Sequence, residues 1–279
     1  SIRKDLPGTV KFIFQPAEEG APLGEKGGAP YMVEEGVMDN PKVDAIFGLH
    51  AWPGKVGQAE YRSGPTMAAA ERMRITVTGV QTHGALPWGG VDPIVISSQI
   101  ILSLQTIVSR EVDITEVPAV VTIGSIHGGV RNNIIPEEVV MEGTIRTFKQ
   151  EIKDHIHKSI KDKVEMIASA SGAKANVEIF SGIAKVTYNE PSLTDQMLPS
   201  LQKVYGKENV LIRPFVTGAE DFPFFTDHAP GLYFFNGVSD DPSKAYPNHS
   251  PYFFADERNL KYGMKSMAQL ATDYLFLNQ

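Results

Sequence analysis

Apolar residues fall into short runs of strand-like composition in the first and last parts of the chain. The run at 9–14 is rich in β-branched and aromatic residues and stops before Pro16, which has no N–H to give to a sheet. Runs of the same kind at 43–50, 57–61 and 231–236 predict three further strands. Together with helical patterns at 31–38, 192–205 and 256–276, they predict an α/β domain.

The middle of the chain has a different pattern, which predicts a second compact unit. The pattern predicts strands at 72–78, 119–127, 139–148 and 175–180, with helices at 93–110 and 150–171. Asp92 can cap the first of these helices, and Pro93 suits its first position. Strand–helix–strand–strand–helix–strand is the order of a ferredoxin-like α/β sandwich. We therefore predict that residues 67–182 are inserted between 1–66 and 183–279, which form the larger domain.

The composition of the chain argues against several classes of protein. The net charge is −7, which is unlike the basic surface of a nucleic-acid-binding protein. No apolar run reaches the roughly 18 residues that a membrane span requires. The chain has no cysteine and therefore no disulfide, which leaves its compartment open.

Four polar residues that follow predicted strands could form a metal site. Glu18 and Glu19 follow the first predicted strand, His50 ends the second, and His249 follows the last, between two prolines. Ligands gather at the carboxyl ends of strands in α/β sheets, and carboxylate with imidazole suits a hydrolytic metal centre. No short motif ties the four together, so a solvated acidic turn is the alternative for the glutamates. His155 and His157 lie on the polar side of an amphipathic helix, where we expect them to be solvated.

Several motifs resemble, in the same order, those of the binuclear-metal amidohydrolase, aminoacylase and carboxypeptidase family. The likeness is strongest to its hippurate hydrolase, N-acyl-amino-acid amidohydrolase and auxin-conjugate hydrolase branch, and it covers essentially the whole chain. The motifs are Phe14-Gln15-Pro16-Ala17-Glu18-Glu19-Gly20, Gly48-Leu49-His50, Thr82-His83-Gly84-Ala85-Leu86-Pro87, Asn133-Ile134-Ile135-Pro136, Gly143-Thr144-Ile145-Arg146-Thr147-Phe148, Gly218-Ala219-Glu220-Asp221-Phe222 and Asn248-His249-Ser250-Pro251.

The resemblance implies a zinc-peptidase-like α/β catalytic domain with two divalent metal ions in the complete active site. Glu18 resembles the general base that takes a proton from a metal-activated water, while Glu19 and His249 resemble ligands of one ion and His50 a ligand of the other. Ligands of this kind accept zinc, manganese, cobalt or nickel.

The resemblance also implies roles for residues of the inserted unit, which would act as a lid. His83 and Asn133 correspond to residues that reach a partner's active site across a homodimer formed through the lids, where they help to stabilise the oxyanion. Arg146 resembles the arginine that binds the substrate carboxylate, and Gly218 resembles a backbone contact to substrate. Taken singly, each of these residues could instead have a purely structural role.

The implied reaction is hydrolysis of the amide bond of small N-acyl amino acids, such as hippurate-like and N-acetyl compounds. The family's catalytic domain begins before the counterpart of Ser1 and includes a Cys-x-His segment that supplies further ligands. We therefore expect this chain to lack the N-terminal part of that domain, to bind metal weakly or not at all when alone, and to have little or no activity by itself. The alternative is an inert fragment that acts only as a dimerisation or ligand-binding module. A cytoplasmic location is favoured, while a secreted or periplasmic one stays open.

Overall fold

The computed structural model describes residues 4–20, 22, 24–241 and 246–279, apart from the side chain of Ile183. Its strands are β1 (Ile46–Lys55), β2 (Ala59–Tyr61), β3 (Gly64–Met67), β4 (Ala69–Thr78), β5 (Thr82–His83), β6 (Val120–Gly128), β7 (Ile134–Ile135), β8 (Glu138–Thr147), β9 (Lys174–Ala184), β10 (Thr187–Asn189), β11 (Val210–Ile212) and β12 (Gly231–Ser239). Its α-helices are α1 (Gly28–Glu34), α2 (Pro93–Glu111), α3 (Gln150–Ala170), α4 (Pro191–Tyr205), α5 (Pro223–Thr226) and α6 (Arg258–Leu277), and 3-10 turns lie at Pro87–Gly89 and Lys207–Asn209.

The chain divides into two compact units. The first consists of Ser1–Thr66, Thr187–Phe215 and Glu220–Gln279, and the second of Met67–Val186 with Val216–Ala219. The short segment 216–219 is an addition that the sequence pattern does not predict.

The first unit is built on a mixed sheet with the strand order β1-β12-β2-β11. β1 and β12 are parallel, β12 and β2 are antiparallel, and β11 is parallel to β2. β12 is buried along almost its whole length, as expected for a strand between two others. The core beneath it is formed by Ala59, Leu193, Met197, Leu201, Tyr205, Leu232, Phe234 and Leu270, which come from the sheet, α4 and α6.

The predicted strand at 9–14 is wrong. These residues pair with no strand in the described part of the chain, and the Phe12 and Phe14 side chains are 77% and 85% exposed. Their rings stack on each other at 6.4 Å between centroids. Strand-like composition does not create a strand where no neighbouring backbone supplies hydrogen bonds. The short helix predicted at 31–38 also differs, since α1 begins and ends a few residues earlier.

The second unit has the β4-α2-β6-β8-α3-β9 order of a ferredoxin-like sandwich. Its sheet has the strand order β6-β8-β4-β9, and every neighbouring pair is antiparallel. Alternate residues of β4, such as Met73 and Ile75, are buried, while Arg72 and Arg74 between them are exposed. The apolar sides of α2 and α3 pack on the buried side of the sheet. As predicted, Asp92 caps α2, accepting hydrogen bonds from the backbone N–H groups of Ile94 and Val95.

His157 is not solvated as the helix pattern predicts. Its Nε2 lies 2.5 Å from Oε2 of Glu71, a buried residue of β4 whose other oxygen accepts a hydrogen bond from Ser181. The tertiary packing of α3 on β4 produces this pair, so the polar face of the helix alone cannot reveal it. His155 remains half exposed and lies 3.3 Å from Glu111.

No helix in the described part of the chain has both the length and the apolar character needed to cross a bilayer.

Candidate metal centre

Acidic side chains from distant parts of the first unit come together beside His50 of β1. The prediction that His50 ends its strand is wrong, since β1 continues to Lys55. One carboxylate oxygen from each of Glu18, Glu220 and Asp221 lies within 4.8 Å of those from the other two. Glu220 is only 6% exposed. Its Oε1 lies 3.6 Å from Nε2 of His50, which places His50 in the same cluster.

His50 is held so that one ring nitrogen faces the cluster. Its Nδ1 lies 2.7 Å from the carbonyl oxygen of Ala51, and since that oxygen can only accept, Nδ1 carries the hydrogen. In the neutral imidazole, Nε2 is then the nitrogen that can bind a metal ion. The rings of Trp52, Tyr233 and Phe235 surround the imidazole, with centroids 5.4–6.5 Å away.

His249, near the other end of the chain, pairs with Glu19, and both side chains are largely exposed, at 71% and 72%. Its Nε2 lies 3.6 Å from Oε1 of Glu19. The neighbouring Asn248 donates a hydrogen bond of 3.0 Å to the Ala51 carbonyl, the same oxygen that holds His50. One carbonyl therefore anchors both the His50 ring and the loop that carries His249.

Backbone strain is found on both loops of this cluster. Among the described residues, Ala17 and His249 are the non-glycine residues with positive φ, at 53° and 66°. A residue in this left-handed region costs on the order of 1–3 kcal/mol, and such strain is typical of functional sites. In this unit it lies immediately before Glu18 and at His249 itself.

The electrostatics of the cluster favour a cation. Desolvation raises the pKa of Glu18 to about 7, with further contributions from the charges of Glu220, Glu19 and Asp221. Burial and the charge of Asp221 also raise the pKa of Glu220. The pKa of Tyr233, which hydrogen-bonds to Glu220, is raised by burial and by the same carboxylates. Like charges this close are stabilised by divalent cations, so the donor set fits metal ions.

The other four predicted residues lie in the second unit. His83 and Asn133 are neighbours there, because β5 pairs with β7 and the N–H of Gly84 donates to the Asn133 carbonyl at 2.8 Å. The carbonyl of Gly218 accepts a hydrogen bond of 3.0 Å from the N–H of Ala68.

Arg146 is half-buried in β8, between Ala70 of β4 and Val120 of β6. Burial lowers the pKa of its guanidinium. Within the described residues, no carboxylate forms an ion pair with it. A desolvated arginine without an acidic partner is suited to bind an anionic ligand.

Sequence reasoning missed three members of the cluster. Glu220 and Asp221 lie inside a recognised motif, but only its glycine received a role. The sequence feature that indicates them is a pair of adjacent acidic residues beside an apolar segment, since buried carboxylates need polar or charged partners. No sequence feature indicates Tyr233, because a tyrosine in an apolar strand is most often an ordinary core residue.

Carboxylates gathered beside an imidazole in an α/β fold are typical of metal-dependent hydrolases. The family model for peptidase family M20/M25/M40 matches residues 1–273. The chain belongs to this family, and with it to the metal-dependent amide hydrolases.

Similar proteins agree with this assignment. Thermostable carboxypeptidase 2 of Saccharolobus solfataricus is 37% identical over 97% of this chain and 67% of its own length. N-acetyl-L-cysteine deacetylase of Bacillus subtilis is 37% identical over 90% of this chain and 57% of its own length. The crystal structure of the Bacillus subtilis YXEP protein, a dinuclear metal-binding peptidase of the M20 family, matches with a TM-score of 0.77 and 31% identity, over 98% of this chain and 67% of that one. The chain thus spans about three fifths to two thirds of the length of these relatives.

Proposed function

We propose that this chain belongs to an enzyme that hydrolyses the amide bond of small N-acyl amino acids, of the hippurate-like or N-acetyl type. The observation that carries the proposal is the acidic group of Glu18, Glu220 and Asp221 beside His50, together with the pairing of Glu19 and His249. The deacetylase among the relatives, named for an N-acetyl amino acid, supports this substrate class.

Two divalent ions would be held by this cluster, with Glu19 and His249 as ligands of one and His50 as a ligand of the other. When bound, such ions lower the pKa of a water molecule and polarise the substrate carbonyl. Zinc, manganese, cobalt and nickel all suit these ligands.

Glu18 is the general base in this proposal. Its carboxylate accepts a proton from the water that attacks the substrate carbonyl, and it returns that proton to the amine nitrogen as the C–N bond breaks. A carboxylate oxygen of Glu220 lies within 4.8 Å of one of Glu18.

The second unit supplies substrate contacts. Arg146 binds the free carboxylate of the amino acid, for which its unpaired guanidinium fork is suited. His83 and Asn133, held side by side by the β5–β7 pairing, stabilise the oxyanion in the active site of a partner subunit. The backbone of Gly218 contacts the substrate.

The partner subunit is a second copy of the chain, bound through the lid. In support, β6 lies at an edge of the second unit's sheet, and Ile126 of that strand is exposed. On α2, the side chains of Ile94, Val95 and Leu102 are exposed as well. An edge strand and an apolar helix face are features that a symmetric dimer would cover. Sedimentation velocity should give about twice the chain mass of 30.5 kDa, whereas a monomer across the micromolar range would refute this arrangement.

The reaction is tested by metal-dependent hydrolysis. The chain, and any longer protein that contains it, is stripped with a chelator, and release of free amino acid from hippurate and N-acetyl amino acids is measured before and after each of the four metals is added. In the longer protein we expect no release without metal and restored release with at least one, whereas the chain alone should have little or no activity. Absence of hydrolysis with all four metals, despite metal binding, would contradict the proposal and favour an inert binding or dimerisation module.

A further inference from the structure

Asp221 joins the two ends of the segment that carries Glu18 and Glu19, named here the Glu18 loop (the described residues 15–20, 22 and 24–29). At one end, Nε2 of Gln15 donates to Asp221 Oδ1 at 2.8 Å and to Oδ2 at 2.7 Å. At the other end, the backbone N–H of Ala29 donates to Oδ2 at 2.7 Å. A single carboxylate therefore accepts hydrogen bonds from both ends of the loop.

The surroundings of Asp221 leave no space for a side chain at the closing glycine. Gly28 has a φ of +72°, and a Cβ placed on it would lie 2.5 Å from Asp221 Oδ2. The N–H of Gly28 also donates to the Pro16 carbonyl at 2.9 Å, which closes the loop beside the carboxylate. Because glycine has no Cβ, position 28 leaves room for the Asp221 carboxylate between the two ends of the loop.

The position of Asp221 in the sequence connects this closure to the cluster. It follows Glu220 directly, so the residue that packs against Glu18 and His50 is fixed by the same short segment that fixes the loop. Within the loop, Ala17 is held at a φ of 53°, a strained conformation that persists only when its surroundings enforce it.

We propose that Asp221 is a positioning residue: it holds the Glu18 loop closed, so that Glu18 faces Glu220 and Glu19 faces His249. Its role in the reaction rests on the proposed function, but its effect on the loop does not. Displacing a reacting group by about 1 Å can cost on the order of 100-fold in rate, so a residue that never touches substrate can control turnover through the loop.

Asp221→Asn tests this role with almost no change in size. The substitution turns one carboxylate oxygen into an NH2 group, which would face the donating amide of Gln15 or the N–H of Ala29, so at least one of the three hydrogen bonds is lost together with the negative charge. We expect kcat to fall about 10- to 100-fold while KM changes less than about threefold. In the metal-free protein, backbone amides of the Glu18 loop should exchange hydrogen faster, while those of α4 and α6 are unchanged. The Kd for zinc, measured by titration calorimetry, should rise, because the loop carries Glu19.

A matched pair of glycine variants separates loop closure from backbone strain. Gly28→Ala introduces a methyl group against Asp221, and it should reproduce the faster exchange. Gly36→Ala has the same kind of positive φ, +82°, but its Cβ would meet the nearest atom, an oxygen of Asp39, at an ordinary 3.5 Å. We expect Gly36→Ala to leave exchange in the Glu18 loop and kcat unchanged.

Each outcome decides for or against the proposal. Unchanged loop exchange and unchanged zinc Kd in Asp221→Asn would overturn it. Faster exchange throughout α4 and α6 would overturn it too, because the carboxylate would then be needed for folding of the whole unit. If Asp221→Asn cannot be purified, Gln15→Met removes one tie and is judged by the same exchange measurement. If the unsubstituted protein proves inactive, the proposed function fails, but exchange and zinc affinity still judge Asp221.

Discussion

Replacing Glu18 with glutamine should lower kcat for hippurate about 10²- to 10⁴-fold, the range that a general base contributes. The substitution keeps the size of the side chain and its place beside Glu220, but the amide cannot take a proton from water. KM should change little, because Glu18 is not assigned a substrate contact. Steady-state release of glycine in the presence of the activating metal measures both constants.

The control for this variant is Glu34→Gln, which makes the same chemical change in the same unit. Glu34 lies on α1 with an exposed side chain and pairs with Lys26 at 2.7 Å. Exposed pairs of this kind contribute about 0–1 kcal/mol to stability, so its kcat should equal that of the unsubstituted protein. If Glu18→Gln retained a kcat within about threefold of the control, Glu18 could not be the base.

Arg146→Met should weaken binding of substrates that carry a free carboxylate. Hydrogen bonds to charged groups contribute about 1.5–3 kcal/mol, and about 1.4 kcal/mol corresponds to a tenfold change in affinity. We therefore expect KM for hippurate to rise about 10- to 100-fold. With hippuramide, which replaces the carboxylate by a neutral amide, the variant and the unsubstituted protein should have similar kcat/KM.

Arg74→Met is the matched control, since Arg74 lies on the adjacent strand β4 of the same sheet. Its guanidinium is half exposed and pairs with Glu142 at 2.7 Å, so it already has an anionic partner. We expect no change in KM for either substrate in this variant. Equal losses on hippurate and hippuramide in Arg146→Met would mean that Arg146 supports the fold and does not bind the carboxylate.

Local patterns were enough to predict the second unit. The long helices α2 and α3 and the alternation in β4 are determined by residues close together in sequence, and the Asp92 cap depends on backbone groups only two and three residues away. Such short-range patterns can be recognised without knowledge of the tertiary structure.

Elsewhere the structure depends on contacts between residues that are far apart in the sequence, and local patterns do not contain such contacts. Residues 9–14 have strand composition, but a strand also needs a neighbouring backbone, and that cannot be seen in one segment. His157 faces a buried glutamate that a helical pattern does not contain.

The candidate site was predicted in part for the same reason. Glu18, Glu19, His50 and His249 stand out because each ends or follows a predicted strand. That reasoning is only partly correct, since residues 9–14 form no strand and β1 continues past His50 to Lys55. Glu220 and Tyr233 are brought to them only by folding, and Asp221 is recognisable only from its hydrogen bonds to both ends of the Glu18 loop.

Anomalous diffraction at the zinc absorption edge, from crystals of a longer protein that contains this chain, tests the central claim most directly. We predict density for zinc at coordination distance, about 2.0–2.2 Å, from Glu19 and His249 and from Nε2 of His50. Zinc density only at sites remote from these side chains, or none in crystals grown with excess zinc, would contradict the account.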